Sequence, residues 1–322
     1  MRGETQKPER PGAGSVSLTR ARTRRSVGEQ AIKVLLAGAA VLSVLTTTGI
    51  VVTLLNESSK FFGEIPVGDF FFGTDWAPLA GGDSTSFGVI PLIWSTLYLT
   101  LIALIVAVPL GLGVGVYLAE YASPRVRKIF KPIVEVLAGV PTIVFGFFAL
   151  TFLTPDILRP LFGDGVSQSN QLAAGLLVGL LVLPTIASIA EDALTSVPAS
   201  LREGSFGLGA SRLTTSLRVV LPAALSGVIA GLVLGASRAV GETLVILLAG
   251  GSGQLLPSTV GSATQPSGSM ASFIASTATG DAATGSIAYK TIFAVGFTLF
   301  AICLVLNLVS IRLVNRYRQV YE

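Results

Sequence analysis

The 322-residue sequence is 51% hydrophobic and only 12% charged, with a mean hydropathy of +0.74. Soluble domains carry about a quarter charged residues, so the bilayer must serve as solvent for most of this chain. There is no histidine and a single cysteine, Cys303. That removes Ser-His-Asp catalysis, His-bearing zinc sites, Cys-rich metal clusters and any intrachain disulfide. No G-x-x-x-x-G-K-[ST] phosphate loop occurs, so energy for pumping must come from a partner subunit or an ion gradient.

Residues 1–25 are rich in Arg, Gly, Ser, Thr and Pro without periodicity, which predicts a disordered basic cytoplasmic tail ahead of one transmembrane domain, 26–322. The net charge of +4 originates in this tail, an orientation and lipid-contact signal rather than a nucleic-acid surface. The first apolar run, 32–55, exceeds the roughly 7–15 residues of a signal-peptide core and reads as a retained span. A mixed stretch with the aromatic cluster Phe70, Phe71, Phe72 and Trp76 follows. Further helices are predicted at 89–119, with Pro91 at its start and Pro109 as a kink, then at 132–154 and 172–190. A polar loop, about 191–218, precedes a fifth helix at 219–249. A Ser/Thr/Gly-rich segment then leads to a sixth at 288–313.

Basic residues alternate between the loops. Eight lie in the tail through Lys33, then Arg125, Arg127, Lys128 and Lys131, then Arg202, Arg212 and Arg218, and finally Arg312, Arg316 and Arg318. The alternate loops hold Lys60, Arg159 and Lys290. By the positive-inside rule both termini are cytoplasmic, which requires an even number of spans. The expected fold is an all-α membrane protein with six transmembrane helices.

The loop before the fifth helix is unusual for a connector. Ser200 and Glu203 have capping-box spacing, so a short helix is predicted after Pro198. Leu201, Phe206 and Leu208 give it apolar surface, and Gly207 and Gly209 allow a reversal into a second short helix ending at Leu221 and Pro222. A surface-lying amphipathic loop is one reading; a helix projecting into a protein groove is the other. The string Glu203, Gly204, Ser205, Gly209, then Val219-Val220-Leu221-Pro222, resembles the "EAA" loop of ABC importer permeases. In that family the loop forms coupling helices that dock onto a cytoplasmic ATPase. The resemblance therefore implies ATPase coupling for Glu203, Gly204, Ser205, Gly209, Leu221 and Pro222. Gly204 and Ser205 stand where the family has two alanines, and Gly204 weakens the helix by about 1 kcal/mol relative to Ala.

Within the fifth helix, Gly227, Gly231, Gly235 and Ala239 form a small-residue stripe suited to close helix packing. Arg238 and Glu242 sit near mid-span, four residues apart on the expected helix, where they can pair. Intramembrane charges cost at least about 2.5–3.5 kcal/mol each, so the pair is either a structural brace or a functional site. An arginine fork suits phosphate or sulfate oxygens, and a paired carboxylate would keep it from trapping the anion. The segment Ser237-Arg238-Ala239-Val240-Gly241-Glu242-Thr243 resembles the "RALGET" segment of phosphate ABC importer permeases of the PstC type. Ala107-Val108-Pro109-Leu110-Gly111-Leu112-Gly113 and Glu135-Val136-Leu137-Ala138-Gly139-Val140-Pro141 look like the same family, and the likeness runs from Ala31 onward.

That resemblance implies a subunit of the cytoplasmic membrane with Arg238 and Glu242 on the phosphate path. It also implies a homologous second permease, two cytoplasmic ATPase subunits that carry ATP and Mg, and an external phosphate-binding protein. This chain would itself be neither an enzyme nor a cofactor carrier. A permease for sulfate or molybdate is the neighbouring alternative. An ion-coupled secondary transporter using Glu242 is the alternative from another class, although no internal repeat supports it.

Overall fold

The computed structural model describes residues 24–251, 263–280 and 282–317, with the side chains of 24–27, 83 and 317 excepted. The expected disorder of the basic tail falls on residues outside these, apart from Arg24 and Arg25, which open the first helix. The chain divides into two units, one through Val52 and one from Thr53 onward. Helix α1 (Arg24–Phe62) comprises the described residues of the first unit and the first residues of the second.

The remaining helices are α2 (Val67–Phe72), α3 (Ile90–Tyr121), α4 (Pro124–Ala138), α5 (Thr142–Phe162), α6 (Gln171–Thr195), α7 (Ala199–Gly207), α8 (Arg212–Ala223), α9 (Leu225–Val240), α10 (Met270–Thr279) and α11 (Ile287–Tyr317). Five of them, α1, α3, α5, α6 and α11, are long and apolar enough to cross a bilayer. The bent pair α8 and α9, meeting at 73°, passes the same test when taken together and brings the count to six if it crosses as one broken span. The only sheet among the described residues is a two-stranded hairpin pairing Trp76 with Phe87 and Ala77 with Ser86.

Three spans differ from their expected form. The third was expected as one helix at 132–154. Pro141 instead disfavours helical geometry at Val140, so α4 ends at Ala138 and α5 begins at Thr142. The fourth, expected to end at 190, runs on to Thr195, so Glu191 belongs to a helix and not to the polar loop. The fifth is not continuous. It bends between α8 and α9 and breaks again at 241–243, before a short π-helical turn, Ile246–Gly250.

The core is built by α3 and α6, which approach through small residues. A Cβ on Gly179 would lie 2.7 Å from the Ala103 carbonyl oxygen, closer than van der Waals contact permits. The predicted stripe on α9 does the same against α6: a Cβ on Gly235 would stand 2.7 Å from Ile186 Cγ1, and one on Gly227 2.5 Å from Ala193 Cβ. Close backbone approach replaces the hydrophobic effect as the glue between helices in lipid.

At the external end, the aromatic residues after α1 form a buried cluster. Phe61 packs edge-on against Phe70, with centroids 5.5 Å apart, and Trp76 packs against Phe273 of α10 at 4.9 Å. The Ser/Thr/Gly-rich segment is thus partly helical. Ser269 caps α10 through Ser272, and the Met270 amide donates to Thr96 Oγ1 at 3.0 Å.

Candidate functional site

At the cytoplasmic end, α7 begins at Ala199 with Pro198 as its N-cap and no side-chain cap bond. The expected Ser200–Glu203 capping box does not form, because the helix starts two residues early, with Pro198 and not Ser200 at the N-cap, and Ser200 falls inside the first turn. The reversal is as expected from the glycines, but Gly209 carries it alone. Its φ is +80°, its amide donates to the Phe206 carbonyl at 2.9 Å, and Gly207 remains helical. Ser211 then caps α8 by accepting from the Thr214 amide.

Of the six residues assigned to coupling, Glu203, Gly204, Gly209 and Pro222 are exposed. Ser205 and Leu221 are half-buried; Ser205 meets the Thr215 hydroxyl at 2.9 Å, and Leu221 packs on Val220 and Ala224. Beside the outward residues stand Phe206 and Leu208, the latter 91% exposed. With Phe206, 44% exposed, it forms a small apolar tip of the kind a protein groove or lipid can cover.

The residue that seats this element was not singled out from the sequence. Arg202 Nη2 donates to Glu120 Oε1 at 2.9 Å and to the Leu194 carbonyl at 2.7 Å, while Nη1 donates to the Val197 carbonyl at 2.5 Å. One guanidinium therefore ties α7 to the ends of both α3 and α6. A second clamp holds α4. Glu191, fully buried, is met by Arg127 at 2.5 Å and Lys131 at 3.0 Å, and Lys131 also reaches Asp192 at 3.0 Å. Burial alone would lower the Lys131 amine, but its bonds to the two carboxylates outweigh that and hold it above its ordinary value.

Midway along the bundle, Arg238 and Glu242 are not arranged as the sequence suggested. α9 ends at Val240, so the expected one-turn spacing is lost, and no ion pair joins the two among the described residues. Arg238 Nη1 instead donates to Thr185 Oγ1 of α6 at 2.9 Å. Glu242, 9% exposed, accepts from the Val245 amide at 3.3 Å and caps the half-helix beyond the break. Thr185 follows Pro184, which removes one amide donor from the interior of α6. The break after α9 and the amide missing from α6 at Pro184 thus lie beside the half-buried arginine. Such backbone is tolerated at membrane depth where protein or a water-filled cavity surrounds it.

The sequence pattern of the family described as binding-protein-dependent transport system inner membrane component matches residues 111–319. The "Probable ABC transporter permease protein YqgH" of Bacillus subtilis is 32% identical over 246 residues, 76% of this chain and 78% of that protein. The "Phosphate transport system permease protein PstC" of Xylella fastidiosa is 30% identical over 267 residues, covering 76% and 79%. Among solved structures, a chain of a bacterial alginate ABC transporter aligns with a TM-score of 0.63 over 94% of this chain and 100% of its own, at 17% identity. A chain of the MetNI methionine ABC transporter aligns with a TM-score of 0.52 at 20% identity, over 72% and 95%. At those identities the structural likeness speaks for the fold. The chain is a multi-pass protein of the inner membrane and belongs to the family of binding-protein-dependent transport system inner membrane components.

Proposed function

We propose that this chain is the permease subunit through which an ATP-driven importer moves inorganic phosphate into the cell. The observation that carries the reading is Arg238. It is a permanently charged fork whose hydrogen-bond partner among the described residues is the neutral Thr185 hydroxyl, so its charge stays available to a passing oxyanion. Relatives named as phosphate transport permeases support phosphate over other cargo. Arg238 would meet the anion, Thr185 would hold the guanidinium, and Glu242 would keep the break open by capping the half-helix beyond it.

The exposed tip formed by Glu203, Gly204, Phe206 and Leu208 would dock into a cytoplasmic ATPase, which brings ATP and Mg. Two such subunits, a second homologous permease and an external phosphate-binding protein would complete the importer. The test is ATP hydrolysis by the reconstituted importer with its binding protein loaded in turn with phosphate, sulfate or molybdate. Stimulation by phosphate alone is expected; equal stimulation by sulfate or molybdate would move the assignment to a general oxyanion permease.

A further inference from the structure

Helix α4 is fastened to the bundle by its polar side. Arg127 and Lys131 hold it against Glu191 and Asp192 of α6, and on the opposite side Ile129, Phe130, Ile133 and Val136 are each 51–70% exposed. Those residues recur at helical spacing and form one apolar stripe on a 15-residue helix about 22 Å long. A water-soluble protein would turn this stripe inward.

The depth of α4 is marked by its neighbour. α3 ends in Tyr117 and Tyr121, both exposed, and tyrosines gather where hydrocarbon gives way to headgroups. α4 starts three residues later at Pro124, on the cytoplasmic side by the charge rule. Arg125 and Lys128 lie three residues apart at the boundary between its polar and apolar faces, exposed and without a carboxylate partner among the described residues. Lys128 also borders an open groove of about 580 Å³ between the end of α3 and α4, which Arg127 and Lys131 line with it. Glu135 adds one opposing charge there. The groove falls within the roughly 300–1,000 Å³ range of small-molecule clefts.

We propose that α4 is an interfacial helix that lies in the inner leaflet and binds the phosphate of an anionic phospholipid with Arg125 and Lys128. Its stripe would then rest on acyl chains while the two cations snorkel to the headgroup. A lipid fits better than a protein, because lysine is depleted from protein interfaces and here sits at the rim of the stripe.

The test uses the full-length chain in nanodiscs of phosphatidylcholine with a minority of phosphatidylglycerol, followed by native mass spectrometry of retained lipid. Phosphatidylglycerol should be retained above its bulk fraction. The double variant Arg125→Gln/Lys128→Gln should lose about tenfold or more of that enrichment, since each basic residue near an anionic surface contributes roughly fivefold. A nitroxide on Ile133→Cys in a Cys303→Ser background should be more accessible to dissolved oxygen than to a water-soluble nickel complex. Equal lipid retention by the double variant, or a water-exposed nitroxide, would overturn the proposal. So would loss of the lipid to inorganic phosphate, which would make this a free-anion site. Protection of Ile133 only when a second permease co-purifies would assign the stripe to a protein partner.

Discussion

Replacing Arg202 with Gln should unseat α7, the proposed coupling helix, while leaving the spans intact. The guanidinium makes a forked contact with Glu120 and donates to two backbone carbonyls that close the end of α6. Its side chain is 20% exposed and that of Glu120 7%, so solvent screens the pair only modestly. Hydrogen bonds to charged groups are worth about 1.5–3 kcal/mol each. Glutamine retains some of them, and the Ser216 hydroxyl remains near Glu120. A net local loss of about 3 kcal/mol raises the undocked population roughly a hundredfold. Hydrogen–deuterium exchange of residues 199–210 should rise accordingly, with exchange in α3 and α6 unchanged. In the reconstituted importer, ATP hydrolysis should persist while transport per ATP falls. Arg202→Lys should be intermediate, because an ammonium lacks the fork that reaches carboxylate and carbonyls together. Wild-type exchange and wild-type coupling in Arg202→Gln would show that another contact seats the helix.

Gly209→Val should reduce ATPase co-purification, because φ of +80° is a strained position for a β-branched residue even though the space around it is open. Gly179→Ala should lower thermal stability by about 1–3 kcal/mol, since its Cβ would meet the Ala103 carbonyl. Gly204→Ala, facing open space on a helix, should gain up to about 1 kcal/mol in the same melting assay. Thr185→Val should slow phosphate uptake several-fold without changing assembly, because Arg238 loses the hydroxyl that orients it. Because Lys131 is held protonated above its ordinary value, the α4 clamp is fully present below that value and lost only as pH rises past it. Exchange protection of α4 should therefore be flat from about pH 6 to pH 9 once intrinsic rates are removed.

The spans were legible because their signal is local and additive: runs of apolar residues long enough for a bilayer, with lysine and arginine counted between them. The αL turn at Gly209 and the stripe from Gly227 to Ala239 were legible for the same reason, since each depends on spacing within one segment. The breaks were harder. Hydropathy averages across 139–141 and 241–243, although Pro141 carried a signal and the alternation of Arg127, Lys128 and Lys131 with Ile129, Ile133 and Val136 already described an amphipathic helix.

The pairing of Arg238 with Glu242 followed from assuming an unbroken helix and failed with it. The two clamps were out of reach, because Arg127 finds Glu191 across 64 positions and Arg202 finds Glu120 across 82. Nothing in a single segment says which distant carboxylate an arginine will meet.

The account rests on Arg238 as the charge that meets phosphate, and one measurement addresses it most directly. The importer is reconstituted into vesicles with either the native chain or Arg238→Gln, and uptake of labelled phosphate is measured alongside subunit stoichiometry. The variant should assemble fully, because Thr185 and the α6–α9 glycine contacts remain, and its uptake should fall to background. Phosphate uptake at the native rate by a fully assembled Arg238→Gln importer would contradict the account.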